Sequence, residues 1–215
     1  SGFVQFGNFD YGPIFSTFGY NEVEGVRLRA GGRTYFGTDD SWRVQGYTAY
    51  GFKDDKFKYG FSGKWMVDRK NRLILSGGNR RDIEQIGASL TATYDVLGRS
   101  SASSSVFTSG SNGKLTAINL SNVAIEMEPV KNLTFQTGFS YRTLESASPT
   151  FSLDYYTDVA NGIVKSDVKQ SEASLQVDYT PKRKTIGFAV ERQTVDSPYS
   201  RFFVNYSHGF KGLLD

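Results

Sequence analysis

The sequence has no cysteine and one histidine, His208. Disulfide frameworks, zinc–thiolate sites and cysteine nucleophiles are therefore excluded, and so are multi-histidine metal centres. There are 5 prolines among 215 residues, and no apolar run approaches the roughly 18 residues of a membrane-spanning helix. Mean hydropathy is −0.41. Net charge is +3, too small to argue for nucleic acid as a partner. The charge is unevenly spread, with 13 Lys/Arg against 8 Asp/Glu in residues 1–81, so any basic surface belongs to that part. The opening Ser-Gly-Phe carries neither Met nor a signal peptide and reads as the start of a mature fragment or of a piece of something longer.

What the chain has in quantity is aromatics, 17 Phe and 13 Tyr, together with 23 Gly. They fall into a period-two alternation repeated many times. Val26, Leu28 and Ala30 alternate with Arg27, Arg29 and Gly31, and Trp42–Phe52 and Phe57–Val67 repeat the pattern. So do Leu73–Arg80, Val123–Met127, Leu133–Tyr141, Ala173–Tyr179, Ile186–Val190 and Phe202–Tyr206. This predicts nine strands, with a tenth in Pro13–Tyr20, and no useful amphipathic helix. The fold class is all-β. Successive strand side chains point to opposite faces, so each strand has one apolar, aromatic-rich face and one polar, glycine-rich face. Periodicity alone fits both a soluble sandwich and a membrane barrel.

The connections separate the two. Joints near 35–41, 68–71, 129–132 and 180–184 are short and share one end of the sheet. Those near 53–56, 81–115, 143–168 and 192–201 share the other, and 81–115 and 143–168 are long surface loops. Short turns at one end and long loops at the other are the habit of outer-membrane barrels. Strand lengths match the roughly 9–11 tilted residues that cross a bilayer. Trp42, Tyr50, Phe52, Phe57, Tyr59, Trp65, Tyr141 and Tyr179 sit near strand ends on the apolar face, where Tyr and Trp meet the headgroup level. The expectation is an antiparallel up-and-down transmembrane β-barrel, or part of a larger one, forming a single domain over 1–215 with 1–24 as lead-in.

Three stretches are similar to a known family. They are Gly12–Arg29, which contains Tyr20-Asn21-Glu22-Val23-Glu24-Gly25-Val26-Arg27, then Tyr47-Thr48-Ala49-Tyr50-Gly51-Phe52-Lys53-Asp54 with Lys58-Tyr59-Gly60, and finally Tyr206–Gly212. Arg80–Gly87 is similar as well. Together they resemble a Bacteroidota outer-membrane barrel family of unknown function. Its members usually carry an N-terminal carboxypeptidase-regulatory-like domain and are distantly similar to surface-antigen and assembly-factor barrels. The resemblance implies a bacterial outer-membrane location and no catalytic residues. The regulatory-like domain is not among these 215 residues, and family members continue past Gly-Phe-Lys-Gly with further strands, so a portion of a larger barrel is expected. Missing strands or a partner protein would then cover the sheet edge, because unpaired backbone in lipid costs several kcal/mol per group.

Candidate chemistry is sparse. The basic row Arg27, Arg29, Arg33, Arg43, Lys58, Lys64 and Arg80 would face the lumen, where it could bind anionic solutes or lipopolysaccharide phosphates. The competing and favoured reading is a solvated wall balanced by Glu126, Glu128, Glu172, Asp178 and Glu191. Glu22, Glu24 and Gly25 head the first clear strand, and a lumenal glutamate bonded to the arginine row would fix the wall. Gly31, Gly32, Gly77 and Gly78 mark close backbone approach or bending. Ser207 and His208 are strand neighbours on opposite faces and cannot pair as nucleophile and base. Asp39-Asp40 and Asp54-Asp55 read as turn carboxylates, and Ser109–Lys114 lacks the spacing of a phosphate loop. No enzyme activity, cofactor, metal or nucleic-acid partner is expected. The functional expectation is transport or envelope biogenesis, in contact with outer-membrane lipid and lipopolysaccharide. The alternatives are an accessory subunit of a larger complex or a soluble glycan-binding sandwich.

Overall fold

The computed structural model describes residues 2–34, 39–85, 115–148, 151–195 and 200–211. Its strands are β1 (Val4–Phe6), β2 (Phe9–Tyr11), β3 (Phe18–Asn21), β4 (Gly25–Thr34), β5 (Trp42–Gly51), β6 (Lys56–Asp68), β7 (Leu73–Gln85) and β8 (Leu115–Val130). They continue with β9 (Leu133–Ser146), β10 (Tyr155–Asp158), β11 (Ile163–Lys165), β12 (Asp167–Tyr179), β13 (Thr185–Ile186), β14 (Gln193–Thr194) and β15 (Phe202–Phe210). Eleven form one sheet in the order β1-β2-β4-β5-β6-β7-β8-β9-β12-β15, with β3 sharing the β4 edge beside β2. Its pairings are antiparallel between neighbours that follow one another up and down the chain. The fold is thus the expected all-β meander. Among the described residues the sheet is open, with β1 and β15 at its ends.

The alternation explains the strands, and the register fixes their faces. Arg43 pairs with Lys64, Lys64 with Ser76 and Ser76 with Ala124. Paired residues share a face, so one face gathers polar side chains across β5–β8. On the other face, Trp42 pairs with Trp65, Trp65 with Leu75 and Leu75 with Ile125. The polar face is the buried one. Glu24, Arg27, Arg80, Asp82 and Arg142 are buried, whereas Phe57 is 72% and Val123 60% exposed.

The sheet curls toward its polar face. Arg27 of β4 reaches Asp82 of β7 with β5 and β6 between them. Three strand spacings in a flat sheet span roughly 14 Å, too far for a 2.6 Å contact. Glycines permit the close approach of neighbouring strands. A Cβ on Gly78 would lie 2.3 Å from the carbonyl oxygen of Phe61, and one on Gly32 would lie 2.2 Å from the Phe9 ring.

Several sequence expectations change. Ile186–Val190 is not a rung of the sheet. The chain leaves β12 after Tyr179 and returns as β15 directly beside it. Between them, β13 and β14 form a two-residue-wide hairpin whose tip folds onto the polar face. Ile186 and Phe188 are exposed, while Val190 is buried with Met66 and Ile74. The expected loop 81–115 begins too early, because β7 runs to Gln85, and the expected loop 143–168 loses both ends to β9 and β12. The lead-in 1–24 contributes three short strands to the same sheet, raising its strand number above the nine or ten expected. Ser109–Lys114 lies outside the described residues.

Candidate functional site

The polar face holds two charged clusters with a neutral belt between them. The first lies at the end of the sheet that carries the Glu22–Gly25 and Phe52–Asp55 turns. Asn21 closes the former turn, its Oδ1 accepting from the backbone N–H of Val23 and of Glu24 (2.8 Å). Its Nδ2 donates to Glu24 Oε2 at 2.6 Å. Gly25 follows with φ of 64°, a left-handed conformation that suits glycine. The turn thereby aims the Glu24 carboxylate inward, where Arg27 donates to it at 3.1 Å and Lys58 Nζ lies at 2.8 Å. Lys58 also donates to Asp54. Gly51 makes room, since a Cβ there would meet Asp54 Oδ1 at 2.3 Å and Glu24 Cβ at 2.9 Å.

Asp82 completes this cluster. It accepts two parallel bonds from Arg27, at 2.6 and 2.9 Å, a third from the Tyr47 hydroxyl at 2.5 Å and a fourth from the Ile83 backbone N–H at 2.7 Å. Such fork-on-fork pairing is the strong geometry for arginine and carboxylate. Arg80 and Glu84, further along β7 on the same face, pair at 2.7 Å. Arg29 covers the Tyr47 ring at 4.2 Å and donates to Ser16. Cations and carboxylates nearly balance, which is what a buried ionic network requires.

The second cluster lies at the opposite end, beside the tip of the β13–β14 hairpin. Glu128 accepts from Arg192, has Arg72 and Arg183 each at 3.9 Å, and takes the Asn132 backbone N–H at 2.8 Å. Arg72, in the turn between β6 and β7, is pulled below the ordinary arginine pKa by burial, with Arg192 adding to the effect. Its guanidinium also donates to the carbonyls of Ala189 and Val190. Glu191 pairs with Arg43 and, at 3.6 Å, with Lys64. Arg201 of the approach to β15 pairs with Asp178. The belt between the clusters carries Gln45, Ser62, Ser76, Asn122, Gln136 and Gln176, and borders cavities of about 550 and 430 Å³.

All seven members of the sequence-predicted basic row are therefore on the inner face, but not in one patch. Arg27, Lys58 and Arg80 are buried in the first cluster. Arg33 pairs with Asp10 at 3.0 Å and covers the Phe3 ring, and Arg43 and Lys64 hold Glu191. The balancing acids differ from those expected. Glu191 does sit on the row, whereas Glu128 serves Arg72, Arg183 and Arg192, Glu172 serves Arg142, and Asp178 serves Arg201. The main partners of the row are Glu24, Asp54, Asp82 and Glu84. The sequence pointed to a glutamate at Glu22 or Glu24 bonded to the arginine row, and the structure puts Glu24 there; Asp82 and Tyr47, its companions, were not foreseen. The signal was present, because Arg80, Asp82 and Glu84 continue the period-two polar face of β7.

His208 stands on β15 at 4.9 Å from Phe210, edge to face, with Ser207 on the opposite side of the strand. Asp55 accepts from the Tyr50 hydroxyl at a turn. No group of acidic or histidine side chains among the described residues has the arrangement of a metal site.

The residues of Tyr20–Arg27, Tyr47–Asp54 and Lys58, which carried the family resemblance, are thus the ones that converge on Glu24 and Asp82. Residues 5–215 match the model of a family of unknown function, the DUF5686 C-terminal domain. No curated protein and no solved structure matches the chain. The chain belongs to the DUF5686 C-terminal domain family.

Proposed function

We propose that this family member is the wall, or part of the wall, of a bacterial outer-membrane β-barrel that acts in transport or envelope biogenesis without covalent chemistry. The observation that carries the reading is the polarity of the two faces. Charged side chains are buried on the inner face while Trp42, Phe57, Phe61, Trp65, Val123 and Ile125 stand exposed on the outer one. Water penalises such an outer face at about 25 cal/mol per Å² of apolar surface. Acyl chains do not. Trp42 and Trp65 mark one margin of this face, and Tyr50 with Phe57 the other. Eight residues separate Trp42 from Tyr50, about 27 Å along a strand, or roughly 20 Å of height at the usual barrel tilt, close to the apolar band of such barrels.

A soluble sandwich would bury this outer face against a second sheet, and the other sheets among the described residues are only two-stranded. The accessory-subunit reading is favoured by β15, whose nine residues are all exposed and whose outer edge lacks a partner strand among the described residues. In lipid that edge needs further strands or a partner protein. Extraction tests the main reading. The native protein should leave membranes only with detergent, and in planar bilayers it should conduct if it acts alone in transport. Stable co-purifying proteins and no conductance would favour the accessory role. Folded protein that stays in solution without detergent or a partner would end both.

A further inference from the structure

The tip of the β13–β14 hairpin is held on the inner wall by contacts of three kinds. Val190 fills an apolar gap between Met66 and Ile74, its N–H donates to the Asp40 carbonyl at 2.8 Å, and Arg72 grips the carbonyls of Ala189 and Val190. Glu191 then extends its carboxylate between Arg43 and Lys64, so that each oxygen faces one cation. Unlike the pairs around Glu24, this one is wet, with the Glu191 side chain 39% and that of Lys64 45% exposed. Both residues border both inner cavities. A guanidinium and an ammonium converging on one carboxylate is the arrangement that binds a carboxylate or phosphate from solution. Of the five cationic side chains bordering the larger cavity, Arg72, Arg183 and Arg192 share Glu128 and Arg201 has Asp178, so Glu191 is the acid that answers Lys64.

We propose that Arg43 and Lys64 form an anion site on the inner wall, filled by the chain's own Glu191, from which a phosphate- or carboxylate-bearing solute displaces the hairpin tip. Both cations lie on the face opposite the apolar belt, so the ligand comes from the aqueous side and is not a membrane lipid. The inference rests on the inner face being the water-filled side of the wall. It does not require that the protein conduct.

A tethered carboxylate lowers the apparent affinity of the site for any competitor by the fraction of time that it occupies the site. Binding of inorganic pyrophosphate to the purified full chain in detergent should therefore tighten about tenfold in Glu191→Gln. Adding Arg43→Gln and Lys64→Gln should abolish that gain. A second measurement keeps Glu191 in place. The sequence has no cysteine, so Val190→Cys supplies a single buried thiol. Pyrophosphate should accelerate its reaction with an aqueous thiol reagent several-fold, and sodium chloride of equal ionic strength should not. Unchanged affinity in Glu191→Gln, binding that survives loss of both cations, or a thiol indifferent to pyrophosphate would each overturn the proposal. Failure to insert into bilayers would instead count against the barrel reading, because neither measurement depends on insertion.

Discussion

Asp82 shows how a charged interior is made tolerable. Its carboxylate is almost fully buried yet accepts four hydrogen bonds, two from one guanidinium. Breaking a buried pair costs about 3–5 kcal/mol, because the partner stays buried and uncompensated. Asp82→Ala should lower unfolding stability by that amount in detergent-based denaturant titration. Tyr47→Phe removes one donor to a charged group and should cost about 1.5–3 kcal/mol. If both variants unfold like the native chain, the cluster is not holding the sheet together. Parity along a strand made part of this legible. Once Val26 and Leu28 are outward, Arg27 and Arg29 must be inward. Which acid meets which base was not legible, because Arg27 and Asp82 are brought together by curvature across two intervening strands, and alternation carries no information about curvature.

Along a single strand, one residue of shift exchanges the outer face for the inner one, which in the proposed barrel means lipid for lumen. Val123 pairs with Gly77 and Phe139 in the middle of β8, facing outward, while its neighbour Asn122 faces in. A lysine on the lipid face at mid-membrane costs about 2–4 kcal/mol. Val123→Lys should therefore destabilise the folded protein in lipid by that amount, and Asn122→Lys by well under half of it. Equal penalties would mean that the two faces do not see different solvents. Gly78→Val tests sheet closeness in the same assay. Its Cβ would press on the backbone of β6, and overpacking of this kind costs typically about 1–3 kcal/mol. The same alternation that located eight of the nine expected strands misplaced Ile186–Val190. There the pattern is real but short, and the burial of Val190 against Met66 and Ile74, with Arg72 on its carbonyl, outweighs strand pairing.

Across the whole molecule the two tryptophans are natural reporters. Trp42 and Trp65 are register partners at one margin of the outer face, and both are about half exposed. They are also the only tryptophans in the sequence, so all tryptophan emission comes from that margin. The open edge at β15 is separated from β6 by β7, β8, β9 and β12. The proposed barrel puts this outward face in lipid. In proteoliposomes, lipids brominated near the headgroup end of the acyl chain should quench most of the tryptophan emission, and aqueous acrylamide should quench little of it. Strong acrylamide quenching with no response to brominated lipid would put these side chains in water and contradict the account.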